Sequence, residues 1–123
     1  MSQPHKILVV DDSETTADDL AALIRLHLPD VVTLTAADGL AAISTALRER
    51  PSAIITDIGM PALDGVGLAS AIRNYFRGAA PMLIAISGDA PRVEILKDQS
   101  LFDHVFAKPV DVANLVSILD RAH

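Results

Sequence analysis

The chain contains no cysteine and no tryptophan, and its only aromatic residues are one Tyr and three Phe. Without cysteine there are neither disulfides nor thiolate metal sites. With so few rings, the core must be built from Ala, Val, Leu and Ile; half of the 123 residues are hydrophobic, so there are enough of them. Long apolar runs are missing as well. The longest, such as Met82-Leu83-Ile84-Ala85-Ile86, fall far short of the roughly 20 residues a membrane-spanning helix needs. Basic residues are scarce and scattered. Ten Lys and Arg stand against sixteen Asp and Glu, for a net charge of −6, and no basic stripe of the kind nucleic-acid binders carry is visible. Met1-Ser2-Gln3-Pro4-His5-Lys6 leads directly into an apolar run without a signal-peptide pattern. The expectation is a soluble, cytoplasmic protein with no membrane and no direct nucleic-acid contact. The length fits one domain, residues 1–123, and no internal repeat, low-complexity tract or linker interrupts it.

What the chain does have is a regular alternation. Ile7-Leu8-Val9-Val10, Ala53-Ile54-Ile55-Thr56 and Met82 through Ile86 are short apolar runs without polar alternation, as in strands buried on both faces. In Val31-Val32-Thr33-Leu34-Thr35-Ala36, Thr33 and Thr35 alternate with Val32, Leu34 and Ala36, which suits a half-exposed edge strand. His104-Val105-Phe106-Ala107 is a weaker fifth candidate. Between these runs lie helical spacings. Ser13 is placed to cap a helix carrying Ala17, Leu20, Ala21, Ile24 and Leu28 on one face. Leu40, Ile43 and Leu47 form a second stripe, stopped by Pro51. Asp64 precedes Leu68, Ala69, Ile72 and Phe76. Pro91 suits the first turn of a short helix with Val93 and Leu96, and Asp111 precedes Leu115, Ile118 and Leu119. Five strands alternating with five helices predict an α/β fold, a parallel sheet covered on both faces. Ligands of such sheets bind beyond the carboxyl ends of the strands, where the strand order reverses.

The first polar residues after the strands converge on that rim. Asp11 and Asp12 follow the first run, Asp57 the third, Ser87 the fourth and Lys108 the fifth. Singly, each has an ordinary explanation: an Asp pair capping a turn, an Asp opening Ile58-Gly59-Met60-Pro61, a Ser-Gly loop, a solvated lysine. Together they make a coherent site. Three nearby carboxylates repel one another, so at least one has a raised pKa unless a cation lies among them. Oxygen-only ligands select a hard cation, and Mg²⁺ takes one or two carboxylates, keeps several waters and shares itself with a phosphate group. A lysine and a hydroxyl opposite the cluster suit phosphoryl oxygens, and Asp57 is a suitable nucleophile toward phosphorus. His5, His27, His104 and His123 are dispersed, with no metal-ligand spacing.

Asp11-Asp12, the run Asp57-Ile58-Gly59-Met60-Pro61-Ala62-Leu63-Asp64-Gly65, Ser87-Gly88-Asp89-Ala90 and Lys108-Pro109, in that order, resemble the receiver domains of bacterial response regulators in two-component signalling. The resemblance covers the chain from Lys6 to the last helix. It implies a flavodoxin-like, doubly wound five-stranded parallel sheet in the order 2-1-3-4-5 with five helices. It implies that Asp57 is the phosphoacceptor within the metal cluster. Asp12 and the Gly59 carbonyl would ligate Mg²⁺ directly, and Asp11 through a water. Ser87 would bond the phosphoryl group and Lys108 would pair with it. It further implies a cis Lys108-Pro109 bond. The donor would be a phosphohistidine on a sensor histidine kinase or a histidine phosphotransfer protein, docking beside the first helix. A downstream protein target would read the face made by the fourth helix, fifth strand and fifth helix. Such a protein phosphorylates and dephosphorylates itself but turns over no separate substrate.

Two positions depart from the family's pattern. Receivers of the best-known kind carry Tyr or Phe three residues before the Lys, where Val105 stands here. Phe106 is next door but should face the other side of its strand, so an aromatic rotamer switch is not expected. Gly59 stands where many relatives have a polar side chain, leaving room beside the phosphoryl group. Asp89, two residues past Ser87, adds a carboxylate nearby. Among other functions, an aspartyl-phosphate hydrolase needs Asp-x-Asp after its first strand, and Asp11-Asp12-Ser13 lacks that spacing. A nucleotide or flavin binder would offer phosphate-binding amides in the first turn, where this chain presents two negative charges. A non-phosphorylated, protein-binding scaffold is the alternative; all five polar positions, however, hold competent residues. The chain could stand alone, or it could be a piece of a longer regulator or hybrid kinase. Lys108-Pro109-Val110-Asp111 resembles receivers attached to such kinases.

Overall fold

The computed structural model of the chain describes residues 5–59 and 64–121. Five strands, β1 (Lys6–Val10), β2 (Val32–Ala36), β3 (Ala53–Asp57), β4 (Met82–Ser87) and β5 (His104–Ala107), alternate with five helices. These are α1 (Glu14–His27), α2 (Gly39–Glu49), α3 (Gly65–Phe76), α4 (Ala90–Lys97) and α5 (Val112–Arg121). All strand pairs are parallel and the order is β2-β1-β3-β4-β5, the flavodoxin-like arrangement. β1, β3 and β4 are short and strongly apolar because both faces of the sheet are covered there. Leu8, Val10, Ile54, Leu83 and Ala85 face α2, α3 and α4, through Ala42, Ala46, Leu68, Ala69, Ile72 and Leu96. Ile7, Val9, Ile55, Ile84 and Ile86 face α1 and α5, through Ala17, Ala21, Ile24, Leu115, Ile118 and Leu119.

The helix starts follow the expected capping chemistry. The side chains of Ser13, Asp64, Asp89 and Asp111 accept the backbone N–H groups of Thr16, Gly67, Arg92 and Asn114 respectively, and Asp38 caps α2 through Ala41. Each satisfies a donor that the first helical turn leaves unpaired. Pro91 lies in the first turn of α4. α2 ends at Glu49, ahead of Pro51.

Two expectations are corrected. Of the stripe Leu40, Ile43 and Leu47, Ile43 packs partly buried against the core, but the stripe is not the fully buried face of α2. That face is Gly39, Ala42 and Ala46, while Leu40 is 66% exposed. Both stripes run along the same helix, and the smaller residues let it lie close to β1 and β2, so close approach decides over side-chain size. In β2, the edge strand, Val32 does not share the burial of Ala36 and lies at the surface. Having a neighbour on one side only leaves its first residue uncovered. Thr33 instead accepts a hydrogen bond from Arg25 Nη1 at 2.6 Å. A 3-10 turn over Arg77–Ala79, not foreseen, follows α3.

Candidate functional site

The strand order reverses at β1, which pairs with β2 on one side and β3 on the other. The candidate residues gather beyond that point. Asp11 follows β1 and its N–H donates to the Ala36 carbonyl at the end of β2 (3.1 Å). Asp57 and Ser87 are the last residues of β3 and β4 rather than the first after them, since the ladder continues through the pairs Asp57–Ile86 and Ser87–Ala107. Lys108 follows β5, held there by its N–H to the Ser87 carbonyl (3.0 Å). The peptide bond to Pro109 is cis.

One carboxylate oxygen from each of Asp11, Asp12 and Asp57 lies within 4.8 Å of the others. Among the described residues this is the one group of three or more acidic, His or Cys side chains so placed; no histidine joins it. Asp11 is 8% exposed, and its Oδ1 accepts the Ser13 N–H at 2.9 Å. Burial pushes its carboxyl above the ordinary aspartate value. The Ser13 N–H opposes this, the Asp57 carboxylate raises it further, and Lys108 pulls it back. Asp12 is exposed and Asp57 partly so. Asp57 Oδ1 lies 3.4 Å from the Gly59 N–H, and Lys108 Nζ lies 3.6 Å from Asp57 Oδ2. Three carboxylates therefore face one ammonium group, and the most buried of them resists ionisation. The donors are all oxygen. A hard divalent cation such as Mg²⁺ fits this set, because it removes the repulsion and accepts carboxylates beside water.

Ser87 is buried, and its hydroxyl accepts the Asp89 N–H at 3.1 Å. The expected phosphate-binding hydroxyl is thus engaged with the start of α4. Gly59 is exposed, and an added Cβ there would meet nothing within 4 Å. Met60 to Leu63, part of the run after Asp57, lie outside the described residues. Val105 and Phe106 do face opposite sides of the sheet, Val105 toward the α2–α4 layer and Phe106 toward α1 and α5.

Sequence reasoning missed two features. Thr56, buried beneath the site, donates its hydroxyl to the Asp57 carbonyl at 2.9 Å; a threonine inside an apolar run was the available signal. The second is an open cavity of about 430 Å³ beside Asp57 and Lys108, with Val9, Ile55 and Ile86 lining it and Leu20, Leu23 and Val110 at its sides. Leu23 falls off the core phase of α1, which was its only trace in the sequence.

A family model described as response regulator receiver domain matches residues 7–120. The transcriptional regulatory protein PrrA of Mycobacterium tuberculosis is 34% identical over 91% of this chain and 47% of its own length. The chain therefore spans about half the length of that curated relative. Among solved structures, a response regulator receiver protein from Pseudomonas putida superposes with a TM-score of 0.85 at 24% identity, covering 98% of this chain and 99% of that one. The N-terminal domain of an uncharacterized protein from Wolinella succinogenes does so with a TM-score of 0.82 at 31% identity, covering 96% and 93%.

Proposed function

The chain belongs to the response regulator receiver domain family, and on that premise we propose that residues 1–123 form one receiver that accepts a phosphoryl group on Asp57. The observation that carries this reading is the position of Asp57. It sits within 4.8 Å of Asp11 and Asp12 and 3.6 Å from the Lys108 ammonium group. A carboxylate oxygen of Asp57 attacks phosphorus, a P–O bond forms, and the P–N bond to a donor histidine breaks, leaving an acyl phosphate on Asp57 and the pair of electrons on the imidazole. Lys108 follows the charge onto the transferred group, and the Ser87 hydroxyl, which accepts the Asp89 N–H, has its own hydrogen to donate to it. Mg²⁺, held by Asp11, Asp12, Asp57 and the Gly59 carbonyl, would neutralise the charge among the carboxylates and phosphoryl oxygens. Attack of water on the acyl phosphate releases inorganic phosphate and returns the carboxylate. Apart from this self-modification, no substrate is turned over.

The donor is a phosphohistidine on a sensor histidine kinase or histidine phosphotransfer protein. Its docking beside α1 is supported by the cavity that opens from Leu20 and Leu23 toward Asp57, and by Leu26, 74% exposed, further along the same helix. The signal passes to a downstream protein target through the α4, β5 and α5 face, without an aromatic switch, since Val105 occupies the inward position. The setting is the cytoplasm. The test is incubation with a small phosphodonor and Mg²⁺ followed by intact mass. One phosphoryl group should be added, and none with EDTA or in Asp57→Ala. Full labelling of that variant would overturn the assignment.

A further inference from the structure

The two described non-glycine residues with positive φ are both arginines, one lying over the Phe76 ring and the other following Phe76 in the chain. Arg50 (φ 48) ends α2 and Arg77 (φ 54) ends α3. Each cap N–H bonds a carbonyl of its helix, a role any residue fills. Glycine adopts such backbone without strain, and Gly78, directly after Arg77, is not in this region. Helix C-termini favour cations, but Arg48 and Arg73, each in the last turn of its helix, already meet that preference. The side chains at 50 and 77 therefore require another reason.

Their surroundings supply one. The Arg50 guanidinium lies over the Phe76 ring at 5.6 Å, and Tyr75 meets Phe76 edge-on at 5.1 Å. Tyr75 is 60% exposed. Glu49, the nearest carboxylate in sequence, is taken by Lys6 and Arg48. Arg73 is taken by the Leu101 carbonyl and Asp103. Neither Arg77 nor Arg50 forms an ion pair with any of the described residues. A guanidinium stacked on a ring keeps its N–H edge free for a carboxylate. Beside it stands an exposed tyrosine, the kind of ring that anchors interfaces.

We propose that Arg50, Arg77 and Tyr75 form a docking patch for an acidic polypeptide segment of a partner protein, one presenting carboxylates around an apolar side chain. The patch lies at the end of the sheet where strands begin, away from Asp57, so it is separate from the phosphorylation site. A net charge of −6 repels long polyanions such as nucleic acid, whereas a short acidic segment meets only the local positive field. A second copy of the chain is disfavoured, because joining this patch to the acidic rim near Asp12 would be a head-to-tail contact between two different surfaces rather than the self-complementary contact of common dimers.

The test uses the whole chain and a fluorescein-labelled peptide of glutamates flanking one leucine, at low salt, read by anisotropy. Binding should be saturable and weaken with salt. Arg50→Gly with Arg77→Gly, which suits the backbone and keeps the fold, should weaken it on the order of tenfold, as should Tyr75→Ala. Labelling of Asp57 by the small phosphodonor should not change. Equal affinity in the double variant, tighter binding of single-stranded DNA of the same charge, or self-association that competes with the peptide would each overturn the proposal.

Discussion

Lys108 Nζ sits 3.6 Å from Asp57 Oδ2, with the lysine side chain 41% and the aspartate side chain 15% exposed. The distance is that of an ion pair with room left in it, and the exposure means that water screens the pair. Such a lysine contributes little to folding, and under the proposed function its part is to offset new charge on Asp57. Lys108→Ala should therefore leave thermal stability nearly unchanged. It should slow labelling of Asp57 by a small phosphodonor by at least ~10-fold, less than a fully water-excluded donor would give. A time course of intact mass checks the rate, and a thermal melt checks the stability.

Asp11 is the buried member of the acidic group, and its carboxyl is pushed up first by desolvation and then by Asp57 against the pull of Ser13 and Lys108. Asparagine keeps the oxygen that accepts the Ser13 N–H while removing the charge. Asp11→Asn should thus melt a few degrees higher than wild type in EDTA. Added Mg²⁺ should raise the melting temperature of wild type by mass action and that of the variant much less. A scan of each protein with and without Mg²⁺ separates the two effects; an equal rise in both would exclude Asp11 from the metal group.

Much of this was legible beforehand, for a physical reason. Strands buried on both faces must be apolar along their length, so β1, β3 and β4 announced themselves, and the first polar residues at their carboxyl ends had to reach one rim. Ser13, Asp64 and Asp111 were legible as caps because unpaired helical N–H groups demand a nearby oxygen. Where the reading failed, the deciding term was tertiary. Ala42 and Ala46 face the core of α2 because close approach outweighs side-chain size, and alanine gives a weak hydrophobic signal. Thr56 and the cavity beside α1 depend on how separate elements meet, which periodicity along one element does not encode. The left-handed backbone at Arg50 and Arg77 was invisible for the opposite reason, as arginine does not mark it.

Gly65 shows how tightly the end of β3 is held. A Cβ at this first residue of α3 would lie 2.8 Å from the Asp57 carbonyl oxygen, 2.9 Å from Ile58 Cδ1 and 3.0 Å from Ile58 Cα. The backbone of Asp57 or α3 must move to admit it. Gly65→Ala should cost about 1–3 kcal/mol of stability, as overpacking does, and should slow labelling of Asp57 because the carboxylate shifts with its backbone. Urea unfolding and the labelling time course are the measurements. Unchanged values in both would mean that the contact relaxes freely.

The Lys6–Glu49 pair, at 3.1 Å, ties the start of β1 to the end of α2. Its Lys6 hydrogen bond, followed by that of Arg48, holds the Glu49 carboxyl below the ordinary glutamate range. A carboxylate with a lowered folded pKa adds stability above its unfolded pKa and loses it as pH falls through the folded one. The stability difference between wild type and Glu49→Gln should therefore be present at neutral pH and vanish in the acid range. It should be small, since the pair is open to solvent. Paired denaturation curves at stepped pH test this, and a difference that grows toward acid would reverse the sign.

Arg77 and Arg50 should respond differently to glycine. Arg77 combines φ 54 with ψ −124, whereas Arg50, at φ 48 and ψ 63, sits in the ordinary left-handed well. Strain of the first kind costs about 1–3 kcal/mol, and glycine gives back roughly 0.4–1 kcal/mol through the freer unfolded chain. Arg77→Gly should thus stabilise the domain by about 1 kcal/mol net. At Arg50 the relief is smaller and the ring contact with Phe76 is lost, so Arg50→Gly should be close to neutral. Urea midpoints of the two single variants decide the matter. If Arg77→Gly lowers the midpoint, then the arginine side chain contributes more to folding than its backbone costs, and its retention needs no partner to account for it.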